Sequence, residues 1–135
     1  MLQEEIVPII IESDIVTVRR VARTIAGELG FGMTDTTRII TATSELARNV
    51  YQYAGKGTVI LRVINYEQKK GIELIFEDKG PGIPDIDRAM EAGYSTSGGF
   101  GLGLPGTKRL MDEMEIISEI NRGTKVTIRK WLRMT

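Results

Sequence analysis

Glu45 and Asn49, four residues apart in SELARNVY, are a pair of side chains with chemistry to offer. On a helix that spacing puts both on one face. The carboxylate can take a nucleophile's proton. The amide can fill one position around Mg²⁺, which keeps most of its shell as water and phosphate oxygens. In isolation the pair is also what an ordinary solvated helix edge looks like. A second stretch, FEDKGPGIPD, places Asp78 at the end of a strand-forming run, with Gly80 and Gly82 following at alternate positions. A carboxylate there can accept from an exocyclic amine such as adenine N6, and the glycines let a flat base lie against the backbone. A plain turn of Asp, Gly and Pro has the same letters.

The third stretch is FGLGLPGTKRL, residues 100–110. Gly101, Gly103 and Gly106 spell G-x-G-x-x-G, and Gly101 to Lys108 spell a P-loop with its last two letters exchanged. Both motifs require a strand immediately before them. The preceding MEAGYSTSGG is polar and glycine-rich, with no strand signal. Pro105 instead marks the first turn of a helix beginning near Leu104, because proline is tolerated there. The glycines then lie at the helix mouth, where free amides and the positive dipole end favour an anion. A flexible loop entering a helix is the alternative.

The elements that must position these residues follow from periodicity and turn residues. IVPIII (residues 6–11) reads as a first strand, with Pro8 suggesting an edge. Ser13 or Asp14 can cap a helix that runs to Leu29 and stops at Gly30. A second helix opens at Thr34, carries Ile39, Thr43, Leu46, Val50 and Tyr53 as its apolar stripe, and ends at Gly55. GTVILRVINYEQKKGIELIFED is a hairpin with its turn around Gln68 to Gly71. A loop-rich segment with a short helix near DIDRAMEAG leads into a long helix, LPGTKRLMDEM, and a second hairpin turning at Asn121 to Gly123. The expected architecture is α+β: a two-layer α/β sandwich, with a mixed, mostly antiparallel sheet and helices on one face.

Composition narrows the options. A chain of 135 residues suits a single domain spanning 1–135. It contains no cysteine and no histidine, which excludes disulfides, thiolate chemistry and imidazole as base, ligand or phosphoacceptor. Lysine plus arginine balances aspartate plus glutamate at 18 each, so charge makes no case for nucleic acid or an acidic membrane. The N-terminal MLQEEIVPIIIE fits neither a signal peptide nor a membrane span. A soluble cytoplasmic domain is the expectation.

Taken together, in this order and spacing, the three stretches resemble the GHKL ATP-binding superfamily, which shares the Bergerat fold. ELARN is similar to its N box, DKGPG to its first glycine box and GFGLG to its second, and the likeness spans roughly residues 10 to 130. The short lid, with ELGFG, YAGKG and STSGG, resembles the anti-sigma-factor serine/threonine kinases, the stressosome switch kinases among them. The resemblance implies ATP and Mg²⁺ as cofactors, Glu45 as general base and Asn49 as Mg²⁺ ligand. It implies Asp78 at the adenine, with Gly80 and Gly82 beside the ring and Thr124 near the base. Gly99, Gly101 and Gly103 would wrap the phosphates. Ser95, Thr96 and Ser97 fall in the lid, read as polar loop. Lys108, Arg109 and Arg48 are candidate charge partners for the triphosphate, though each reads first as part of a solvated helix face.

The activity so implied is a serine/threonine protein kinase acting on STAS-domain antagonist and scaffold proteins of a stressosome. A PP2C-type phosphatase would be a second partner, leading to the general stress response. Phosphoryl transfer asks mainly for positioning and charge stabilisation, which one carboxylate, one metal and a ring of amides supply. A nucleotide-gated anti-sigma-factor binding module is the alternative, and a simple ATPase is a third reading. A base serves no purpose in pure capture, and no second domain is there for hydrolysis to drive. The signatures of the classical protein kinases, H-R-D, D-F-G and V-A-I-K, are missing.

Overall fold

A computed structural model describes residues 4–91 and 103–133. The chain runs β1 (Glu4–Ile9), α1 (Asp14–Leu29), α2 (Met33–Asn49), a π-helical turn (Val50–Ala54), β2 (Gly57–Tyr66) and β3 (Lys69–Asp78). It continues through α3 (Ile86–Ala89), α4 (Gly103–Leu110), β4 (Glu113–Glu119) and β5 (Gly123–Trp131). The strands form one sheet in the order β1-β2-β3-β5-β4, and all four pairings are antiparallel. The expected mostly antiparallel sheet is thus antiparallel at every described pairing. The hairpin β4–β5 folds back so that β5, not β4, lies against β3. This insertion brings Thr124 opposite Asp78, 46 residues away in sequence.

Period-two alternation sorts the side chains of each strand between the two faces. Ile9, Val59, Leu61, Leu74, Phe76 and Ile128 turn inward and meet Val18 and Ile25 of α1 and Ile39 and Leu46 of α2, each at most 2% exposed. Truncating a large side chain in such a core to alanine costs about 2–5 kcal/mol. The opposite face carries a ladder of charges in register: Glu4, Arg62, Glu73, Arg129 and Glu113, one from each strand. Glu73 is its hub, pairing with Arg62 at 2.8 Å and Arg129 at 2.5 Å.

On the helical side, Lys130 is buried and joins three elements. Its Nζ donates to the Leu110 carbonyl at the end of α4 (2.9 Å) and lies 3.8 Å from Asp35 and 3.9 Å from Asp112. The last turn of α4 is thereby fixed to β5 and to the start of α2.

Local geometry departs from the sequence expectations in four places. β1 ends at Ile9, leaving Ile10 and Ile11 exposed. Neither Ser13 nor Asp14 caps α1 forward: the Asp14 carboxylate turns back to accept from Ile10 N–H (2.8 Å) and Ile11 N–H (3.0 Å), which holds it below the usual carboxylate range. Gly71 lies inside β3, not in the turn, which is Glu67–Gln68. A Cβ at Gly71 would come within 2.6 Å of the Lys130 carbonyl and 2.9 Å of the Trp131 ring, so strand packing demands the glycine. Helix α4 stops at Leu110 instead of continuing to Met114, because Glu113 and Met114 are drawn into pairing with β5.

Candidate functional site

Helix α2 presents Ile39, Thr43 and Leu46 to the core, as its 3.6-residue period requires, and Val50 at the start of the π-turn continues the stripe. That orientation fixes its neighbouring edge. Asn49 reaches the wall of a cavity of about 490 Å³, while Glu45 sits beside it, 8% exposed and outside that wall. Arg48 Nη1 lies 3.3 Å from Glu45 Oε1, so the carboxylate is held by a cation one turn along the same helix. Tyr53, expected on the apolar stripe, is 44% exposed and lines the cavity, because the helix widens into the π-turn before Gly55.

The cavity floor is the inner face of the sheet, at Phe76, Asp78, Thr124 and Val126, and Leu46 and Leu104 close it from the helical side. Its walls are largely apolar, suited to a flat ring. Asp78 ends β3, and two backbone donors converge on one of its oxygens: Gly80 N–H at 2.9 Å and Thr124 N–H at 3.3 Å, both to Oδ1. Among the described residues no donor is recorded for Oδ2. The carboxylate is thus oriented by the protein through one oxygen and can accept from a ligand through the other.

The glycines divide by role. Gly82 lines the cavity with φ +80, and a Cβ there would collide with the Glu119 carbonyl. Gly80 stands outside the wall: a Cβ would come within 2.7 Å of Ala54 Cβ, so its lack of a side chain lets β3 pass the π-turn and its amide hold Asp78. Gly103 opens α4 with φ +58, and the Thr107 hydroxyl donates to its carbonyl at 2.8 Å. Lys108 and Arg109 are exposed in the last turn of α4, at the opposite end from Gly103. Gly99, Gly101, Ser95, Thr96 and Ser97 lie outside the described residues.

The hairpin β4–β5 is fastened to the first glycine loop. Asn121 N–H donates to the Pro81 carbonyl at 2.9 Å, and Ile83 N–H donates to Ser118 Oγ at 2.7 Å. Ser118 also lies 2.8 Å from the Thr124 hydroxyl, its cross-strand neighbour. Sequence reasoning missed Ser118. The signal was present in the Asn121–Gly123 turn, which sets the register that pairs Ser118 with Thr124, but the register alone does not say that β5 lies against Asp78. Arg88 was missed as well. It lines the cavity from α3, whose first turn is capped by Asp85 accepting Arg88 N–H at 3.1 Å.

A family model for histidine kinase-, DNA gyrase B- and HSP90-like ATPases matches residues 34–134. The chain belongs to this ATPase family. The match begins in α2 and includes Glu45, Asn49, Asp78, Gly82, Gly103 and Thr124. Among curated proteins, the chain is 53% identical over 133 residues to the serine/threonine-protein kinase RsbT of Bacillus subtilis, covering 98% of this chain and all of that one. It is 31% identical over 120 residues to the anti-sigma F factor of Caldanaerobacter subterraneus, covering 84% of this chain and 82% of that one. Solved structures of the same fold include the RsbU and RsbW domains of Rv1364c from Mycobacterium tuberculosis, with a TM-score of 0.65 at 18% identity over 96% of this chain and 32% of that one. The mycobacterial sensor histidine kinase MprB aligns with a TM-score of 0.56 at 18% identity over 96% and 97%. As an ATPase-family domain the chain uses nucleotide, and no helix among the described residues is long and apolar enough to cross a membrane.

Proposed function

We propose that the protein is a serine/threonine kinase that moves the ATP γ-phosphoryl group to a hydroxyl on a STAS-domain antagonist or scaffold protein. Release of the free kinase would then activate a PP2C-type phosphatase and so the general stress response, in the cytoplasm. The observation that carries this reading is the edge of α2: Asn49 in the cavity wall and Glu45 four residues away beside it. The 53% identity to a serine/threonine-protein kinase supports it.

The residues present fit ATP. Asp78 would offer an oriented acceptor to the adenine amine and Phe76, Leu46 and Val126 apolar walls, and α4, which opens at Gly103 and lines the cavity at Leu104, would present its N-terminal amides to the phosphates. They fit Mg²⁺ as an ion shared with the nucleotide. Among the described residues no group of three or more acidic, histidine or cysteine side chains can hold a metal alone, so the Asn49 amide oxygen would add one ligand to phosphate and water. The ion would neutralise charge on the transferring phosphoryl group. Glu45 would take the proton of the incoming serine or threonine hydroxyl, with Arg48, 3.3 Å away, holding its orientation.

Incubating the protein with labelled ATP and a STAS-domain partner tests the assignment. The wild type is expected to label the partner on serine or threonine and itself little, and Glu45→Ala to bind nucleotide and partner yet transfer about 10²–10⁴-fold more slowly. Unchanged transfer by Glu45→Ala removes the assigned base. The 31% identity to an anti-sigma F factor favours a second reading, a nucleotide-gated sigma-factor binder with little transfer. No transfer by the wild type to a STAS partner, with ATP-dependent capture of a sigma factor instead, decides for it.

A further inference from the structure

Three consecutive residues of β5 reach the chain where α4 ends. The Arg129 carbonyl accepts Asp112 N–H at 3.0 Å, and Trp131 N–H donates to Asp112 Oδ2 at 2.8 Å. Those two bonds hold the connection into β4. Between them the buried Lys130 ammonium donates to the Leu110 carbonyl at 2.9 Å, and this bond holds the helix itself. Asp35, in the first turn of α2, stands 3.8 Å from the same nitrogen. Lys130 thus sits behind both helices that border the cavity, outside its wall and at the end of α4 remote from it.

Stability alone does not call for an ammonium there. Replacing a buried ionic group by an apolar one of similar size is often neutral or stabilising. What the ammonium adds is direction. Helix α4 has eight residues, Gly103–Leu110, well short of the roughly 12–15 at which an isolated helix begins to hold its own shape. Burial of Leu104, Pro105 and Thr107 fixes which side of it faces the core. The last carbonyls of a helix have no partner within it. A directional bond to the Leu110 carbonyl therefore fixes where α4 stands along its axis. At 1.5 Å per residue, the Gly103 end lies about 10 Å from that anchor.

We propose that Lys130 is a positioning residue for the nucleotide's phosphates: by holding the last carbonyl of α4 against β5 and α2, it sets the N-terminal amides of that helix where the phosphates bind. This rests on the reading of α4 as the phosphate-binding helix given above. Lys130 itself touches no ligand and acts through two turns of helix. Lys130→Met removes the ammonium and keeps an unbranched side chain of similar length. Neither nearby carboxylate is then left without a partner, because Arg38 Nη1 lies 3.3 Å from Asp35 and Asp112 keeps the Trp131 N–H. The stitch from Asp112 to β5 also survives, so the substitution releases α4 and leaves β4 in place.

Calorimetric titration of ATP and of adenosine into the full chain, both with Mg²⁺, tests it. Adenosine has no phosphates, so it reports on the base end of the cavity alone. The wild type is expected to bind ATP more tightly than adenosine. Lys130→Met should cut the ATP-to-adenosine affinity ratio about tenfold, the worth of one hydrogen bond to a charged group, with adenosine affinity unchanged. A purely structural loss would weaken both ligands together. An unchanged ratio, whether both affinities hold or both fall, makes Lys130 a strut and overturns the proposal. Should Lys130→Met fail to fold, Asp35→Asn, which removes the anion that steadies the ammonium, must lower the same ratio, and an unchanged ratio there also overturns it. A wild type that binds ATP no more tightly than adenosine sinks the phosphate reading of α4 itself, an outcome distinct from a preference for ATP that survives in Lys130→Met.

Discussion

Thr124 N–H reaches Asp78 Oδ1 at 3.3 Å across the β5–β3 pairing, on the same oxygen that Gly80 N–H holds at 2.9 Å. The end of the central strand is therefore a fixed acceptor, with Oδ2 the oxygen available to a ligand. Asp78→Asn should leave the fold intact, because the amide oxygen can still receive both backbone donors. That geometry turns the NH₂ group toward the ligand, donor against donor. Nucleotide affinity is expected to fall about tenfold to a hundredfold, read by calorimetry alongside an unchanged melting temperature. Wild-type affinity in the mutant would refute the adenine assignment.

Asn49→Ala is expected to weaken nucleotide binding in the presence of Mg²⁺ and to affect it little with the metal chelated, since the amide acts through the ion. Titrations with and without chelator make the comparison. Equal losses in both would mean that Asn49 contributes apolar wall or helix stability only.

Two glycines with opposite surroundings make opposite predictions. Gly27 is exposed within α1, and nothing lies within 4 Å of a Cβ placed there, so Gly27→Ala should stabilise the protein by roughly 0.5–1 kcal/mol. Gly82 has φ +80 and faces the Glu119 carbonyl, so Gly82→Ala should cost more than about 1 kcal/mol and deform the base end of the cavity. Denaturant melts of both variants, with nucleotide titration of the second, check the pair. A Gly82→Ala variant as stable as the wild type would contradict the described loop.

Glu113 supplies a pH dependence. The Trp131 indole N–H, 2.6 Å from its carboxylate, lowers its pKa first, partial burial opposes the shift, and Arg129 at 3.0 Å adds to the lowering. A carboxyl whose folded pKa is depressed stabilises above its unfolded value and loses that contribution as pH falls through the folded one. The wild type should therefore be more stable than Glu113→Gln at neutral pH, with the difference shrinking below about pH 4.3. Melting temperatures across an acid series measure it, and a constant offset would rule out the carboxylate as the source.

Period and punctuation in the sequence were enough to locate most elements. The apolar stripe of α2, the Gly30 stop with φ +98, Asp78 at a strand end and Pro105 in the first turn of α4 are all local properties of a few consecutive residues. The order of the three nucleotide-binding stretches was equally legible, and with it the ATPase family. Tertiary structure decided what each residue faces. Gly80 is a glycine because Ala54 crowds it, Glu45 sits beside Arg48 outside the cavity wall, and α4 ends early because β5 captures Glu113 and Met114. Above all, the row Asp78, Thr124, Ser118 exists only because β5 inserts between β3 and β4. Neither turn type nor periodicity encodes that insertion. It follows from burying the inner faces of both hairpins under the same two helices, an energy summed over residues far apart in the chain.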